Sequence, residues 1–363
     1  MADQAALSER EQKILGIIET ARSKRARFKD EQITMAHGAG GKATQTLIEG
    51  LLVPALSSES LEVMGDAGAV SVNGTKLAMT TDSFVVKPLR FPGGSIGELA
   101  VNGTVNDLAM AGARPLALTL SLVLEEGLPS EVLRAEVEAI AAATQAAGVE
   151  VVGGDTKVVE RGHADGMYVC TAGLGSIDDR ASLSPAGLRP GDRVLLSGTA
   201  GEHGTAIMLA RGGFDLEADI ESDTRSLWPA VDALLDAVGP SLRCLRDATR
   251  GGVSSVLNEL ARASKVAMVV RERAVPVQPA VEGAAEILGL SPLDIANEGK
   301  FVAFVAPEAA DTALAALRAV PGCEQAAEIG EVKTDPPEMV LVETAFGTRV
   351  LDQLIGDPLP RVC

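Results

Sequence analysis

The chain has 363 residues, of which 46% are hydrophobic and 23% charged. This composition is typical of a folded protein of two or three domains and excludes disordered, collagen-like and coiled-coil chains. The formal net charge of −18 and the 2% aromatic content argue against binding to nucleic acid or to an anionic membrane surface. The longest apolar run, residues 115–124, is shorter than the ~20 residues that span a bilayer.

Residues 1–32 predict an N-terminal extension, because a helical apolar pattern there is followed by a basic run that differs from the rest of the chain. From residue 33 to about 180, strand-like and helix-like segments alternate, which predicts a layered α/β domain. The predicted elements are strand 76–84, helix 95–112, strand 116–124, helix 130–148 and strands 149–156 and 166–175.

A Pro- and Gly-rich stretch at residues 182–192 predicts a linker. The same alternation then restarts, so residues 188–347 are expected to form a second α/β domain. Its predicted elements are strand 193–198, helices 203–213, 227–238 and 249–264, strand 301–307, helix 309–319 and strands 328–333 and 339–343. Residues 348–363 are short and interrupted by prolines, and we expect a flexible tail there.

The cysteines contain no CxxC pair, and no signal peptide precedes them. Both features are typical of a protein of the reducing cytosol, so a cytoplasmic location is expected. One cysteine, Cys363, is the last residue of the chain. With four cysteines in the chain, chance would place one there in about one chain in ninety.

Gly-rich and acidic segments are the candidates for chemistry. The cluster AHGAGGK, which ends at Lys42, is either a plain loop or a cradle for phosphate. Asp66, Asp82 and Asp155 each stand at a junction between strand and loop. They are either turn residues or carboxylates that converge on a nucleotide-bound Mg²⁺.

A polar stripe marks the helix predicted at residues 95–112. Glu98, Asn102 and Asn106 recur every four residues and therefore lie on one face. This face is either solvent-exposed or in contact with a ligand. Ligand contact is favoured, because the face lacks the mixture of Lys and Glu that is typical of solvent-exposed helix faces. Lys157 follows Asp155 closely and can steady phosphate charge or take part in proton transfer.

Two further Gly-rich motifs, SGTAGEHGTA and DATRGG, lead into helices of the second half. Each is either an anion site at a helix N-terminus or only a tight turn. The motif NEGK places Glu298 just before a strand.

In this order, AHGAGGK, TTDSFVVKPLRFPGGSIGELAVNGTVNDLAMAGARP, GGDTKVV, GEHGTAIM, DATRGG, NEGK and the terminal PRVC resemble the hydrogenase maturation factor HypE family. The wider superfamily includes aminoimidazole ribonucleotide synthetase, selenophosphate synthetase and thiamine monophosphate kinase. The resemblance covers roughly residues 33–363, and the ending PRVC is its most discriminating part.

The resemblance implies a two-domain fold of the aminoimidazole ribonucleotide synthetase type. The N-terminal domains of a homodimer are expected to pair into a β-barrel, with ATP and Mg²⁺ bound near the interface. A HypF-type carbamoyltransferase would load a carbamoyl group onto the Cys363 thiol. The chain would then use ATP to dehydrate it to a thiocyanate, and a HypC–HypD-type complex would accept the cyanide for the iron of a [NiFe] hydrogenase.

The resemblance also implies roles for individual residues. Phosphorylation turns an amide oxygen into a good leaving group, and a base must remove the amide protons. Lys157 and Glu298 are expected to remove protons, and Cys363 to carry the substrate. The expected metal ligands are Asp66, Asp82, Asp107 and Asp155, and the expected nucleotide contacts are Lys42, Asp82, Asn102, Asn106, Gly154 and Asp155.

Two alternatives stay open at this point. One is another ATP-dependent kinase or ligase of the same superfamily. Selenophosphate synthetase is disfavoured, because it requires an N-terminal cysteine or selenocysteine and the first cysteine here is Cys170. The other is a non-enzymatic carrier that only presents the thiol of Cys363.

Overall fold

The computed structural model describes residues 27–56, 65–212, 219–354, 356 and 359–363. Residues 1–26 of the predicted extension therefore lie outside the described residues. The described part begins with a short 3₁₀ helix, Met35–Gly38, and a helical segment made of α1 (Lys42–Leu47), a π-helical turn (Ile48–Leu52) and α2 (Val53–Leu56).

The N-terminal domain is built on a five-stranded sheet in the order β1-β2-β7-β5-β6. All neighbours are antiparallel except β5 and β6, which are joined by a helical crossover as parallel strands require. The strands are β1 (Gly68–Val72), β2 (Thr75–Phe84), β5 (Ala113–Glu125), β6 (Glu150–Val159) and β7 (Met167–Ile177), and a ribbon is formed by β3 (Arg90–Phe91) and β4 (Gly94–Ser95).

Two helices, α3 (Ile96–Met110) and α4 (Ser130–Ala147), cover one face of this sheet. They pack closely because α3 carries glycine at the contact: a Cβ on Gly97 would lie 2.6 Å from the carbonyl oxygen of Glu136. The buried Glu136 carboxylate accepts a hydrogen bond from Gly97 N at 3.1 Å. Helix α3 lies between the sheet and its neighbours and is buried almost throughout. This burial explains why apolar residues occur along nearly its whole length.

The described part of the chain leaves the opposite face of the sheet uncovered. Strand β6 is exposed along nearly its whole length, and apolar side chains on the sheet are open to solvent, including Met79, Val152 and Val158. Neither large sheet closes on itself among the described residues. The predicted barrel would therefore need a second chain.

The C-terminal domain has a seven-stranded sheet in the order β14-β13-β10-β12-β8-β11-β9. Its strands are β8 (Arg193–Leu196), β9 (Leu242–Asp247), β10 (Ala267–Arg271), β11 (Phe301–Val305), β12 (Ala327–Lys333), β13 (Val340–Thr344) and β14 (Gly347–Leu351). Its helices are α5 (Glu202–Ala210), α6 (Trp228–Val238), α7 (Gly252–Ser264), α8 (Pro279–Leu288) and α9 (Ala310–Arg318), with 3₁₀ turns at Gly239–Ser241, Glu272–Ala274, Pro292–Asp294 and Pro307–Ala309. Aliphatic clusters form the core on both faces of this sheet.

The predicted strands and helices are all present, and the layered α/β architecture is confirmed. Strands β1, β9 and β10 and helix α8 were not predicted, because their apolar runs are short and lie between stronger patterns. The first residues of the expected tail, 348–351, belong to β14, which pairs with β13. No helix among the described residues is long and apolar enough to cross a membrane.

Candidate active site

Four aspartates from the two domains converge at the domain boundary. Asp66 precedes β1, Asp82 lies on β2, Asp107 on α3 and Asp247 at the end of β9. Carboxylate oxygens of Asp66, Asp107 and Asp247 all lie within 4.8 Å of one another. Thr80 Oγ1 donates to Asp107 Oδ2 at 2.6 Å and fixes its orientation. Such a set of hard oxygen donors suits a divalent cation.

Burial raises the pKa of all four carboxyl groups, and neighbouring acids add to the shift for Asp66, Asp107 and Asp247. Burial, followed by neighbouring acids, raises the pKa of Asp66 from 3.8 to about 6 although the Arg246 charge opposes it. Burial and the surrounding acids raise the pKa of Asp107 and of Asp247 well above the ordinary value, and burial raises the pKa of Asp82 as well. Full ionisation of this group therefore requires positive charge at the site.

Arginine side chains supply part of that charge. Arg246 Nε lies 3.0 Å from Asp66 Oδ1, and its Nη2 donates to Glu259 Oε2 at 2.9 Å. Arg250 stands at the start of α7, where Nη1 donates to Gly38 O at 3.2 Å. Gly40 has a φ of +75°, and a Cβ on it would lie 2.8 Å from Arg250 Cβ. The glycine cluster can therefore pack on Arg250 only with glycine at this position.

The acids line a cavity of about 680 Å³ between the domains. Glu298 and Cys363 line the same cavity. Glu298 is 3% exposed, and its Oε1 has no hydrogen-bond partner among the residues that the structure describes. Burial, with Asp247 and Asp223 adding to it, raises the pKa of Glu298 well above the ordinary value. A buried carboxyl group thus lines the same cavity as a thiol and the acid cluster.

The end of the chain is held against the N-terminal domain. Val85 N donates to Cys363 O at 3.1 Å, and Lys87 N donates to Arg361 O at 3.4 Å. Arg361 Nη1 also forms an ion pair with Asp165 Oδ2 at 2.5 Å. Val362 is buried, and its carbonyl accepts from His203 Nε2 at 2.7 Å. These contacts bring the thiol of the last residue to the cavity.

Three predicted site residues on strand β6 lie outside the cavity. Asp155 and Lys157 are exposed on β6 and pair with each other at 2.5 Å, and Gly154 precedes them on the same strand. This pairing lowers the pKa of Asp155. Strand β6 is exposed along nearly its whole length, so the single chain does not bring these residues to the cluster of Asp66, Asp107 and Asp247.

Lys42 is also turned away from the cavity. Its Nζ pairs with Asp352 Oδ2 at 2.6 Å, and both side chains are largely exposed. Its neighbours in the glycine cluster, Gly40 and Gly41, line the cavity instead.

The asparagines of α3 contact protein rather than open space. Asn102 Nδ2 donates to Thr224 Oγ1 at 3.3 Å. Asn106 Nδ2 donates to Arg225 O at 3.0 Å and to Glu298 O at 3.3 Å, and its Oδ1 accepts from Leu227 N at 2.8 Å. The polar stripe therefore faces the C-terminal domain. Its expected contact with nucleotide stays a prediction.

Asp247 is a functional residue that the sequence patterns do not single out, since its motif DATRGG predicts only a Gly-rich entry to a helix. It is nevertheless an acid at a junction between strand and loop, with glycines at positions 251 and 252, so the signal that marks Asp66, Asp82 and Asp155 applies to it. Arg246 and Arg250 flank it and were also missed. Their spacing carries no signal without the contact to the other domain.

Comparison with known proteins assigns both domains. Residues 64–177 match the family described as AIR synthase related protein, N-terminal domain, and residues 189–342 match its C-terminal domain. The carbamoyl dehydratase HypE of Bradyrhizobium diazoefficiens is 48% identical over 332 residues, which cover 91% of this chain and 96% of that protein. The predicted two-domain fold is therefore confirmed.

Solved structures agree with this assignment. A crystal structure of a HypE–HypF complex contains a chain that is 41% identical, with a TM-score of 0.81, covering 85% of this chain and 99% of that chain. A crystal structure of HypE in complex with ATP is 43% identical, with a TM-score of 0.77, covering 92% and 100%. The chain belongs to the HypE carbamoyl dehydratase family of AIR synthase related proteins.

Proposed function

We propose that this protein is an ATP-dependent carbamoyl dehydratase that acts on its own C-terminal residue. The carbamoyl group on the Cys363 thiol loses its oxygen and both amide protons and becomes a thiocyanate, which supplies the cyanide ligand for the iron of a [NiFe] hydrogenase. The main support for this proposal is that Cys363 lines the same cavity as Glu298 and the acid cluster. Family membership supports the same reaction.

The acid cluster fits Mg²⁺ bound to a nucleotide. Asp66, Asp107 and Asp247, with Asp82 beside them, would hold the ion through their carboxylates. The bound ion supplies neutralisation of the phosphate charge. Asp155, an expected further ligand, can join the site only if a second chain brings it there.

Glu298 is the proposed base. Phosphoryl transfer from ATP places the amide oxygen in a phosphate ester, and the C–O bond then breaks with inorganic phosphate as the leaving group. One N–H proton goes to the Glu298 carboxylate, whose raised pKa increases its affinity for that proton. Lys157 is proposed for the second proton, and this role depends on the dimer because the residue is outside the cavity of its own chain.

The proposed assembly is a homodimer in which the two N-terminal sheets pair into a barrel. The exposed apolar side chains of Met79, Val152 and Val158 support it, because a sheet face of this kind is normally covered. A HypF-type carbamoyltransferase is the proposed donor partner, in keeping with the HypE–HypF complex. A HypC–HypD-type complex in the cytoplasm is the proposed acceptor of cyanide.

Mass spectrometry of the C-terminal peptide tests this function. After incubation with carbamoyl phosphate, ATP and a HypF-type partner, the peptide should gain about 43 Da and then lose about 18 Da. The Cys363→Ser protein is the matched control and should stay unmodified. ATP turnover that does not depend on the tail would favour a kinase or ligase, and absence of ATP binding would favour a carrier.

A further inference from the structure

Residues 222–225 form a connecting segment in which each side chain contacts a different part of the site. Ser222 contacts His203, and Thr224 contacts Asn102. Asp223 contacts the main chain of Glu298, and Arg225 contacts that of Gly299. The segment lies between α3, the NEGK loop and the docked tail.

Asp223 provides the tightest of these contacts. Its Oδ1 accepts from Glu298 N at 3.0 Å, and its Oδ2 accepts from Gly299 N at 3.1 Å and from Lys300 Nζ at 3.0 Å. Burial opposes ionisation of Asp223, but the charges of Lys300 and His203 and these hydrogen bonds hold its pKa below the ordinary value. The carboxylate therefore gathers three consecutive donors of the NEGK motif.

The other side of the loop is held as firmly. Asn106 Nδ2 donates to Glu298 O, and Arg225 Nε donates to Gly299 O at 3.1 Å. A Cβ on Gly299 would lie 1.8 Å from Asp223 O, so no other residue fits there without moving the segment. The main chain around Glu298 is thus fixed from both sides.

The same segment contacts the docked tail. His203 Nε2 donates to Val362 O at 2.7 Å, because a carbonyl only accepts, and His203 Nδ1 forms a hydrogen bond with Ser222 Oγ at 2.7 Å. Burial lowers the pKa of His203, and the nearby Asp223 carboxylate opposes this shift. Ser222 and Asp223 are adjacent, so the tail and the Glu298 loop share one support.

We propose that Asp223 is a positioning residue for the dehydration step: its carboxylate fixes the main chain of Glu298 and, through Ser222 and His203, aligns it with the docked tail that carries the substrate. The inference rests on the proposed function, since it assumes that Glu298 acts on the group carried by Cys363. Within the described part of the chain, Glu298 Oε1 has no hydrogen-bond partner, so this oxygen takes its position from the main chain and from packing.

Kinetics of the isosteric Asp223→Asn protein test the inference. An amide offers only one acceptor oxygen, so at least one of the three donors loses its partner and the loop shifts. With protein first carbamoylated by a HypF-type partner, we expect the dehydration rate at saturating ATP to fall about 100-fold, as for a displacement near 1 Å. The ATP concentration for half-maximal rate and the carbamoylation rate should stay unchanged.

Asp232→Asn is the matched control. Asp232 Oδ1 pairs with Arg180 Nη2 at a distance of 2.7 Å, and neither residue lines the cavity. It should keep the full dehydration rate. Lys300→Gln provides a second variant if Asp223→Asn fails to fold, since it loosens Asp223 Oδ2 but leaves its carboxylate. It should also lower the rate without changing the dependence on ATP.

The outcomes separate the inference from the function beneath it. A wild-type chain that never dehydrates its carbamoyl group contradicts the proposed function. The positioning role alone is overturned if the wild type reacts and a folded Asp223→Asn protein keeps the wild-type dehydration rate. It is also overturned if the only change in that protein is a higher ATP concentration for half-maximal rate. Where Asp223→Asn does not fold, an unchanged rate in Lys300→Gln overturns it in the same way.

Discussion

Carboxylate oxygens of Asp107 and Asp247 lie within 4.8 Å of each other, although one residue belongs to the N-terminal domain and the other to the C-terminal domain. Two buried acids this close repel each other when both are ionised. The cluster therefore stores unfavourable energy that a bound cation would relieve, and it can form only when the domains pack together.

Replacement of Asp247 by Asn tests the cation site. Burial and the neighbouring acids disfavour the ionised form of Asp247, so at a pH where this group is ionised the metal-free variant should be more stable than the wild type by about 1 kcal/mol. Mg²⁺ should then stabilise the variant less than the wild type, and ATP turnover should fall. Thermal unfolding with and without Mg²⁺ measures both effects, and Asp311→Asn at the start of α9 is an exposed control. Equal stabilisation of both variants by Mg²⁺ would refute this assignment.

The stability of the metal-free protein should decrease as pH rises. The pKa of Asp66 is raised in the folded state from 3.8 to about 6. The contribution of the protonated group is fully present below pH 3.8 and is lost as pH rises through about 6. The raised pKa values of Asp107 and Asp247 extend this loss upward. Free energies of unfolding in chelator across this range should show the decline, and Mg²⁺ should flatten it. A rise over that window in chelator would be inconsistent with the acid cluster.

Glu298→Gln should stop dehydration without stopping carbamoylation. The amide keeps the shape but cannot accept the proton, so the rate should fall by roughly 10²- to 10⁴-fold. Because the pKa of Glu298 is raised and the base must be ionised, the wild-type rate should increase with pH through that pKa. Rates measured against pH should be flat for the variant. A variant with the wild-type profile would remove Glu298 from the reaction.

Docking of the tail can be weakened at Arg361. The Arg361→Ala change removes the ion pair with Asp165 and the hydrogen bonds to Val85 O. If these contacts contribute about 1.4 kcal/mol to the free energy of tail docking, their removal should slow dehydration roughly tenfold. Carbamoylation by the HypF-type partner should continue. Arg349→Ala, which removes an exposed pair with Glu272, serves as the control, and identical rates in both variants would contradict the docked arrangement.

The oligomeric state should depend on the uncovered sheet face. Val152→Asp places a charge on an exposed apolar position of β6 and should convert the proposed dimer to a monomer. Light scattering coupled to size-exclusion chromatography measures the mass. Phe346→Asp, at a fully exposed hairpin tip, should leave the dimer intact. A wild-type monomer, or a dimer insensitive to Val152→Asp, would exclude this face.

Local patterns were sufficient for most of the fold. Helix α4 begins at Ser130 as predicted and ends before Gly148, whose φ of +68° favours glycine. The acids Asp66, Asp82 and Asp107 were also predicted and meet at one place. These signals are local, since each depends on a few neighbouring residues.

Contacts between distant segments could not be predicted. Asn106 bonds to Arg225 O and Glu298 O, and Lys42 pairs with Asp352. No periodicity in the sequence encodes such partners, because they arise only when the two domains pack. The fourth acid, Asp247, escaped for a related reason: its turn-like motif has a simple local explanation.

The stoichiometry of ATP use shows whether the group on Cys363 is the phosphoryl acceptor. Fully carbamoylated protein is mixed with ATP, and ADP is counted against the thiocyanate formed on Cys363. We expect about one ADP for each converted tail and no ADP above background from Cys363→Ser, because the phosphoryl acceptor is the group carried on that thiol. Undiminished ADP formation by Cys363→Ser would contradict it.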